Sequence, residues 1–314
     1  MGLRVVFMGT PEFAVPILES LINSSYHVVA AYTQPDKPVG RSQQIVWSPV
    51  KRLAIKHKIS VVQPQTLKSA EVVKELASFE PELIVVAAYG CLLSPGILSL
   101  PKFSCLNVHP SLLPRHRGPS PIANALLLGD ELTGVTIMLM DAGMDSGPIL
   151  AQRTVAISLE DTTGSLIPKL AGVGAELLLD TLPQWLEGKL EPRPQDEAQA
   201  TYSKMITKED GEIDWHLSAE ELWRQVRAFS PWPGCYARWQ GKRLKIHKAI
   251  PVSEARKGEA GKVVALSKPA PADVGVVTGN GILGLCQVQL EGKRQIPVAE
   301  FVRGQRDFIG SSLA

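Results

Sequence analysis

Asn107 and His109 stand two residues apart at the end of a short apolar run, Cys105-Leu106-Asn107-Val108-His109, which breaks off at Pro110. On an extended segment, residues two apart point to one face, so an amide and an imidazole project together. A second apolar run, Val135 to Met140, ends in Asp141-Ala142-Gly143-Met144-Asp145-Ser146-Gly147. With Asp145 brought in from a neighbouring strand end, the set becomes amide, imidazole and carboxylate. Acyl transfer to an amine needs such a set: a donor for the developing oxyanion, a proton relay and a partner for that relay. Spacing alone does not choose between Asp145 and Asp141, which share one turn. The same residue types also have plain structural uses, Asn in satisfying a turn backbone and His in pairing with a carbonyl.

The elements that must position these residues follow from the hydropathy pattern. Short Val/Ile-rich runs alternate with amphipathic stretches through the first half, which predicts an α/β fold with a doubly wound, mostly parallel, Rossmann-like sheet. Leu3–Gly9, His27–Thr33, Leu83–Ala88 and Ser104–His109 read as strands. Thr10-Pro11 and Ser48-Pro49 supply N-cap and first-turn signals for helices. Ligands of such sheets bind outside the carboxyl ends of the strands, which selects Asn107–Ser111, the Ala87-Ala88-Tyr89-Gly90 turn and the Gly9-Thr10-Pro11 turn. That last turn lacks the Gly-x-Gly-x-x-Gly pattern, which argues against a dinucleotide cofactor. The stretch from Gln34 to Gln44 is longer than a usual connection; loops of that length are often functional, and a mobile surface loop is the alternative reading.

A helix over 162–187, with Leu166, Leu170, Leu177 and Leu178 as its core stripe, closes a catalytic domain spanning 1–188. Residues 189–206, polar and carrying Pro192 and Pro194, read as a linker. Residues 207–314 hold one amphipathic helix near Ser218–Ala228 and about five short strands, which predicts a small β-barrel of the oligonucleotide-binding (OB-like) type. At 314 residues, with 45% hydrophobic and 20% charged side chains, two globular domains are the natural expectation. No apolar stretch reaches membrane-spanning length, and the first apolar run is not followed by a cleavage site, so a soluble cytoplasmic protein is expected. Cys91, Cys105, Cys235 and Cys286 are scattered, which argues against a metal site or a disulfide framework and predicts buried, reduced thiols. Nothing requires more than a monomer. Net charge is +2, with 17 Lys+Arg against 19 Asp+Glu in residues 1–206 and 16 against 12 beyond, a mildly basic second half compatible with a nucleic-acid partner.

Asn107-Val108-His109-Pro110-Ser111-Leu112-Leu113-Pro114 with Arg117-Gly118, followed by Asp141 through Gly147, closely resembles the paired signatures of the folate-dependent formyltransferases. Within that superfamily the chain is similar to the methionyl-tRNA formyltransferase family. That likeness continues through Gly9-Thr10-Pro11-Glu12-Phe13, Thr33-Gln34-Pro35-Asp36-Lys37-Pro38, Ile213-Asp214-Trp215 and Ala228-Phe229-Ser230-Pro231-Trp232-Pro233-Gly234. The resemblance implies transfer of a formyl group from N10 of 10-formyltetrahydrofolate to the α-amine of methionine on initiator tRNA. It selects Asp145 over Asp141 as the third catalytic residue. It also implies a folate site lined by Ser111, Leu112, Leu113 and Pro114, with Tyr89, Gly90 and the Asp141–Asp145 loop nearby, and tRNA contacts from Lys37 and Arg41. Asp145 is expected to favour the His109 imidazolium and so raise its pKa.

Two positions depart from the family pattern. Ser42-Gln43-Gln44-Ile45 carries no charge where basic residues are expected, and His116 stands where an aromatic is expected. Two rival functions remain: a formyltransferase acting on glycinamide ribonucleotide or an amino sugar, and a non-catalytic RNA-binding protein.

Overall fold

The computed structural model describes residues 2–39, 44–252, 258–267 and 272–314. They form two compact units: Met1–Pro121, Glu131–Ile157 and Ser165–Lys204 make up the first, and Ile122–Asp130, Ser158–Gly164 and Met205–Ala314 the second. Along the chain come β1 (Arg4–Gly9), α1 (Ala14–Ile22), β2 (His27–Tyr32), β3 (Lys37–Val39), β4 (Gln44–Val46), α2 (Pro49–Lys56), β5 (Ser60–Val62), α3 (Ala70–Ser78) and β6 (Leu83–Ala87). Then follow α4 (Pro95–Leu98), β7 (Cys105–His109), α5 (Pro121–Leu128), β8 (Leu132–Leu139), β9 (Ile149–Ala156) and α6 (Thr163–Leu186).

The sheet of the first unit runs β5-β2-β1-β6-β7-β8-β9. From β5 to β7 all pairings are parallel. The chain winds from β1 out to β5 and returns on the other side at β6, so strand order reverses between β1 and β6, where such sheets bind ligands. β6 and β7 are buried along their whole length, which is why they read as near-continuous apolar runs. β8 and β9 reverse the pattern and pair antiparallel. Val6, Met8, Tyr32, Ile84 and Ile97 form one core cluster with Leu76 of α3. The predicted leucine stripe of α6 is buried at all four positions, each contributing about 1.5–3 kcal/mol relative to exposure.

Local signals held unevenly. The Ser48 hydroxyl accepts from the Lys51 N–H and caps α2. Thr10 caps nothing: α1 starts at Ala14 behind Phe13, and the Thr10 hydroxyl accepts from the Gln34 N–H at 3.2 Å. The Gln34–Gln44 stretch is not all loop, because β3 and β4 pair as an antiparallel ribbon, Lys37 opposite Val46. At its base Lys51 and Gln63 bind the Asp36 carboxylate, and these hydrogen bonds hold its pKa below the usual range. Cys105 and Cys235 are buried as expected, whereas Cys286 is half-buried and Cys91, in the turn beyond β6, is exposed.

In the second unit α7 (Ala219–Ala228) is followed by β10 (Cys235–Trp239), β11 (Lys242–Val252), β12 (Val263–Ala265), β13 (Val274–Val277), β14 (Ile282–Leu290), β15 (Ile296–Pro297) and α8 (Val298–Gly304). Ser218 and Glu221 form a reciprocal capping box that starts α7. The sheet runs β10-β11-β14-β13-β12 with β15 beside β14, antiparallel throughout. Residues 310–314 join its two edges. Val263 of β12 exchanges bonds with Gly310 and Ser311, while Arg238 of β10 exchanges bonds with Ala314. The result is an antiparallel half-barrel consistent with a small barrel domain, with the buried Trp239, Phe301 and Phe308 packed edge to face at centroid distances of 5.0–5.6 Å. Among the described residues no helix is long and apolar enough to cross a membrane.

Candidate active site

β7 delivers Asn107 and His109 to one face, as their spacing requires, and both are buried, His109 to 4% exposure. Asp145 arrives by a longer route. β8 runs antiparallel to β7, with Leu139 opposite Leu106 and the Met140 N–H bonded to the Cys105 carbonyl, so the loop after β8 leaves beside the start of β7. It turns back to set Asp145 Oδ1 3.2 Å from Asn107 Nδ2 and 3.7 Å from His109 Nδ1. The other carboxylate oxygen accepts from the Gly118 N–H at 2.8 Å. Asp145 itself sits at φ 52°, a left-handed conformation that Asp tolerates better than most residues.

Two glycines make this geometry possible. Gly118 has φ 105°, and a Cβ there would lie 2.8 Å from the Ser203 carbonyl. A Cβ on Gly147 would lie 1.9 Å from the Leu139 carbonyl. Gly118 and Gly147 of the two motifs are therefore backbone requirements.

Burial pushes the His109 pKa down, and this outweighs Asp145 and the His116 carbonyl, which both act upward. The expected upward shift is thus reversed, because the ring loses more hydration than a carboxylate 3.7 Å away returns. His109 Nε2 lies 3.1 Å from the His116 carbonyl, which can only accept, so Nε2 carries the proton and Nδ1 presents its lone pair on the Asp145 side. His116 contributes through its backbone, at φ 58°, with its N–H bonded to the Thr201 hydroxyl.

The Ser111–Pro114 segment is fixed from within. Ser111 is fully buried and its hydroxyl donates to the Arg115 carbonyl. Thr136 donates to the Ser111 carbonyl and accepts from the Leu113 N–H, while Gln152 donates to the Leu113 carbonyl. Leu113 packs with Met138 and Ile149. Only Leu112 and Pro114 of the four keep partly exposed side chains. The Tyr89 ring belongs to the core cluster and burial raises its phenol pKa, whereas Gly90 at φ 84° has open space beside it. Asp141 is exposed and binds its own loop, accepting from the Gly143 N–H and the Ser146 hydroxyl; it does not join Asn107 and His109. Lys37 is exposed on β3. Arg41 lies outside the described residues.

Residues 3–182 match the family described as formyl transferase, and residues 205–306 match the formyl transferase C-terminal domain. A methionyl-tRNA formyltransferase of Roseiflexus sp. (strain RS-1) is 46% identical over 307 residues, covering 98% of this chain and 94% of that protein. The chain belongs to the methionyl-tRNA formyltransferase family. Solved structures share the fold of this family at lower identity. HypX from Aquifex aeolicus has a TM-score of 0.65 at 19% identity over 98% of this chain, which spans 50% of that protein's length. An N-formyltransferase from Helicobacter canadensis has a TM-score of 0.63 at 17% identity, covering 94% of this chain and all of that one.

Neither family match takes in residues 183–204, yet that stretch reaches the site. Its Gln195 donates to the Asp145 and Gly147 carbonyls at 2.9 and 2.7 Å. Arg117, 1% exposed, binds Gln195 and Glu197, and Glu197 holds its guanidinium firmly protonated. Reading the sequence as a linker missed these residues because the contacts span 78 and 80 positions and leave no periodic signal. The sequence clue is Arg117 itself, a charge close to the Asn107/His109 segment that must find partners where it is buried.

Proposed function

We propose that this chain transfers the formyl group of 10-formyltetrahydrofolate to the α-amine of methionine on initiator tRNA, acting as a cytoplasmic monomer that uses no metal. The observation carrying this reading is the buried cluster of Asn107, His109 and Asp145, in which Asp145 Oδ1 lies 3.2 Å from the Asn107 amide nitrogen and 3.7 Å from His109 Nδ1. The donor brings an electrophilic formyl carbon whose nitrogen can leave. Asn107 has two amide hydrogens, one directed to Asp145, and uses the other to stabilise negative charge on the formyl oxygen. His109 Nδ1 takes the proton of the attacking amine as the new C–N bond forms and returns it to the departing N10 as the old bond breaks. Asp145 stabilises the imidazolium only while it exists, which favours the transition state over the resting enzyme.

Leu112 and Pro114 supply the apolar wall for the folate, with Gly90 and the Asp141–Asp145 loop close by. Lys37 and Arg41 contact the tRNA as positive charges against phosphate, and the relative from Roseiflexus, named for methionyl-tRNA, aligns along both units. The test offers the purified chain 10-formyltetrahydrofolate with methionyl-initiator tRNA, glycinamide ribonucleotide and an amino-sugar nucleotide in parallel. Product on the tRNA is expected, and product only on a small acceptor would discard the tRNA assignment while keeping the chemistry.

A further inference from the structure

Asp145 is gripped at two places by one neighbouring dipeptide. Gly118 donates its N–H to the carboxylate at 2.8 Å. Arg117, one residue earlier, reaches the backbone of Asp145 through Gln195. Arg117 Nε and Nη2 donate to Gln195 Oε1 at 3.0 and 2.9 Å, and Gln195 Nε2 donates to the Asp145 and Gly147 carbonyls at 2.9 and 2.7 Å. The amide of Gln195 can face only one way. Turned over, it would set its NH2 against a guanidinium and its oxygen against two carbonyls, losing every bond it makes. Arg117 is oriented in turn by Glu197, at 2.7 and 3.0 Å, and by the Tyr202 hydroxyl at 3.1 Å. The circuit closes on a residue at φ 52°, a conformation that its surroundings must hold.

We infer that Gln195, oriented by Arg117, is a positioning residue for Asp145: it fixes the backbone from which the carboxylate reaches Asn107 and His109. This rests on the reading of Asn107, His109 and Asp145 as the reacting set. It places a working part of the site in a stretch that neither family match covers. Gln195 touches no reacting atom, so its loss lowers turnover and leaves substrate binding nearly unchanged. Two donors to the loop disappear and the carboxylate drifts, and displacement on the ångström scale costs about 10–100-fold in rate.

The experiment measures kcat, the KM for folate and for tRNA, and the melting temperature of Gln195→Met and Gln195→Glu, each alone and combined with Asp145→Asn. Gln195→Glu keeps an oxygen for Arg117 while replacing the donor to the Asp145 and Gly147 carbonyls by a carboxylate oxygen that repels them, so it displaces the loop by a second route and decides the matter if the methionine variant does not fold. The expected result is a kcat lowered about 10–100-fold with both KM values within about threefold. In the Asp145→Asn background the same change should cost less than about threefold, because nothing is left to position. Wild-type kcat in a folded Gln195 variant, with Asp145→Asn impaired, overturns the inference alone. Losses that multiply fully in the double variant overturn it as well. Wild-type kcat in Asp145→Asn itself overturns both the inference and the assignment of the site.

Discussion

Half of this site is carried by a strand and half by a loop, and the two halves are held in different ways. Asn107 and His109 come from β7, buried on both faces and hydrogen-bonded to β6 and β8, so their relative placement follows from the backbone repeat alone. Asp145 comes from a loop that leaves the sheet beside the start of β7. It is returned by a glycine N–H 27 positions away and a glutamine 50 positions away. A strand places side chains relative to one another, whereas a loop places them relative to whatever braces it. Damage to the first half should therefore remove chemistry directly, and damage to the second should detune it.

The largest effect tests the strand half. His109→Ala should lower turnover by about two to four orders of magnitude with folate binding nearly intact, measured by steady-state rates beside folate titration. Near-wild-type rates would break the comparison at its stronger side.

Asp145→Asn should cost about 100-fold in kcat and moves the pH profile in a direction that can be worked out. His109 must be unprotonated to act, and its pKa already lies below the ordinary value of about 6.5. Apart from protonation of the attacking α-amine, which titrates at about 7.7–8.0, the enzyme's own acid limb should therefore lie below about 6.5. Removing Asp145 removes an influence that raises the His109 pKa, so the acid limb moves lower still. An enzyme acid limb above about 6.5 that remains once titration of the α-amine is accounted for, and that moves in Asp145→Asn, would restore a resting imidazolium.

Gly118→Ala forces a Cβ against the Ser203 carbonyl at a positive φ. It should cost about 1–3 kcal/mol of stability and about tenfold in kcat, read by melting and by rate. The smallest effect belongs to the exposed ribbon. Lys37→Ala should raise the KM for tRNA about threefold and flatten its salt dependence with folate affinity unchanged; a change in folate affinity instead would move β3 into the donor site.

What could be read in advance divides along the same line. The β7 pair, the leucine stripe of α6 and the Ser48-Pro49 start of α2 follow from periods of two and 3.6 or from an N-cap followed by a first-turn proline, and the structure shows each of them. The choice of Asp145 over Asp141 needed a family pattern, because both residues occupy one turn and only long-range bonds distinguish them. The upward pull of Asp145 on His109 is legible in the sequence, whereas the depth of burial that outweighs it is not. Thr10 does not cap α1, because its hydroxyl accepts from the Gln34 N–H of another segment. Gln195 carried no local signal of any kind.

The seam made by residues 310–314 has a further consequence. A sheet that ends in unpaired strands offers other chains a row of free N–H and C=O groups on which to build. Here one five-residue stretch covers β12 with Gly310 and Ser311, bonds Gly261 just before it with Leu313, and covers β10 with Ala314. A chain shortened by those residues would gain two adhesive borders at once, and its failure should register as self-association at rising concentration before it registers as loss of fold.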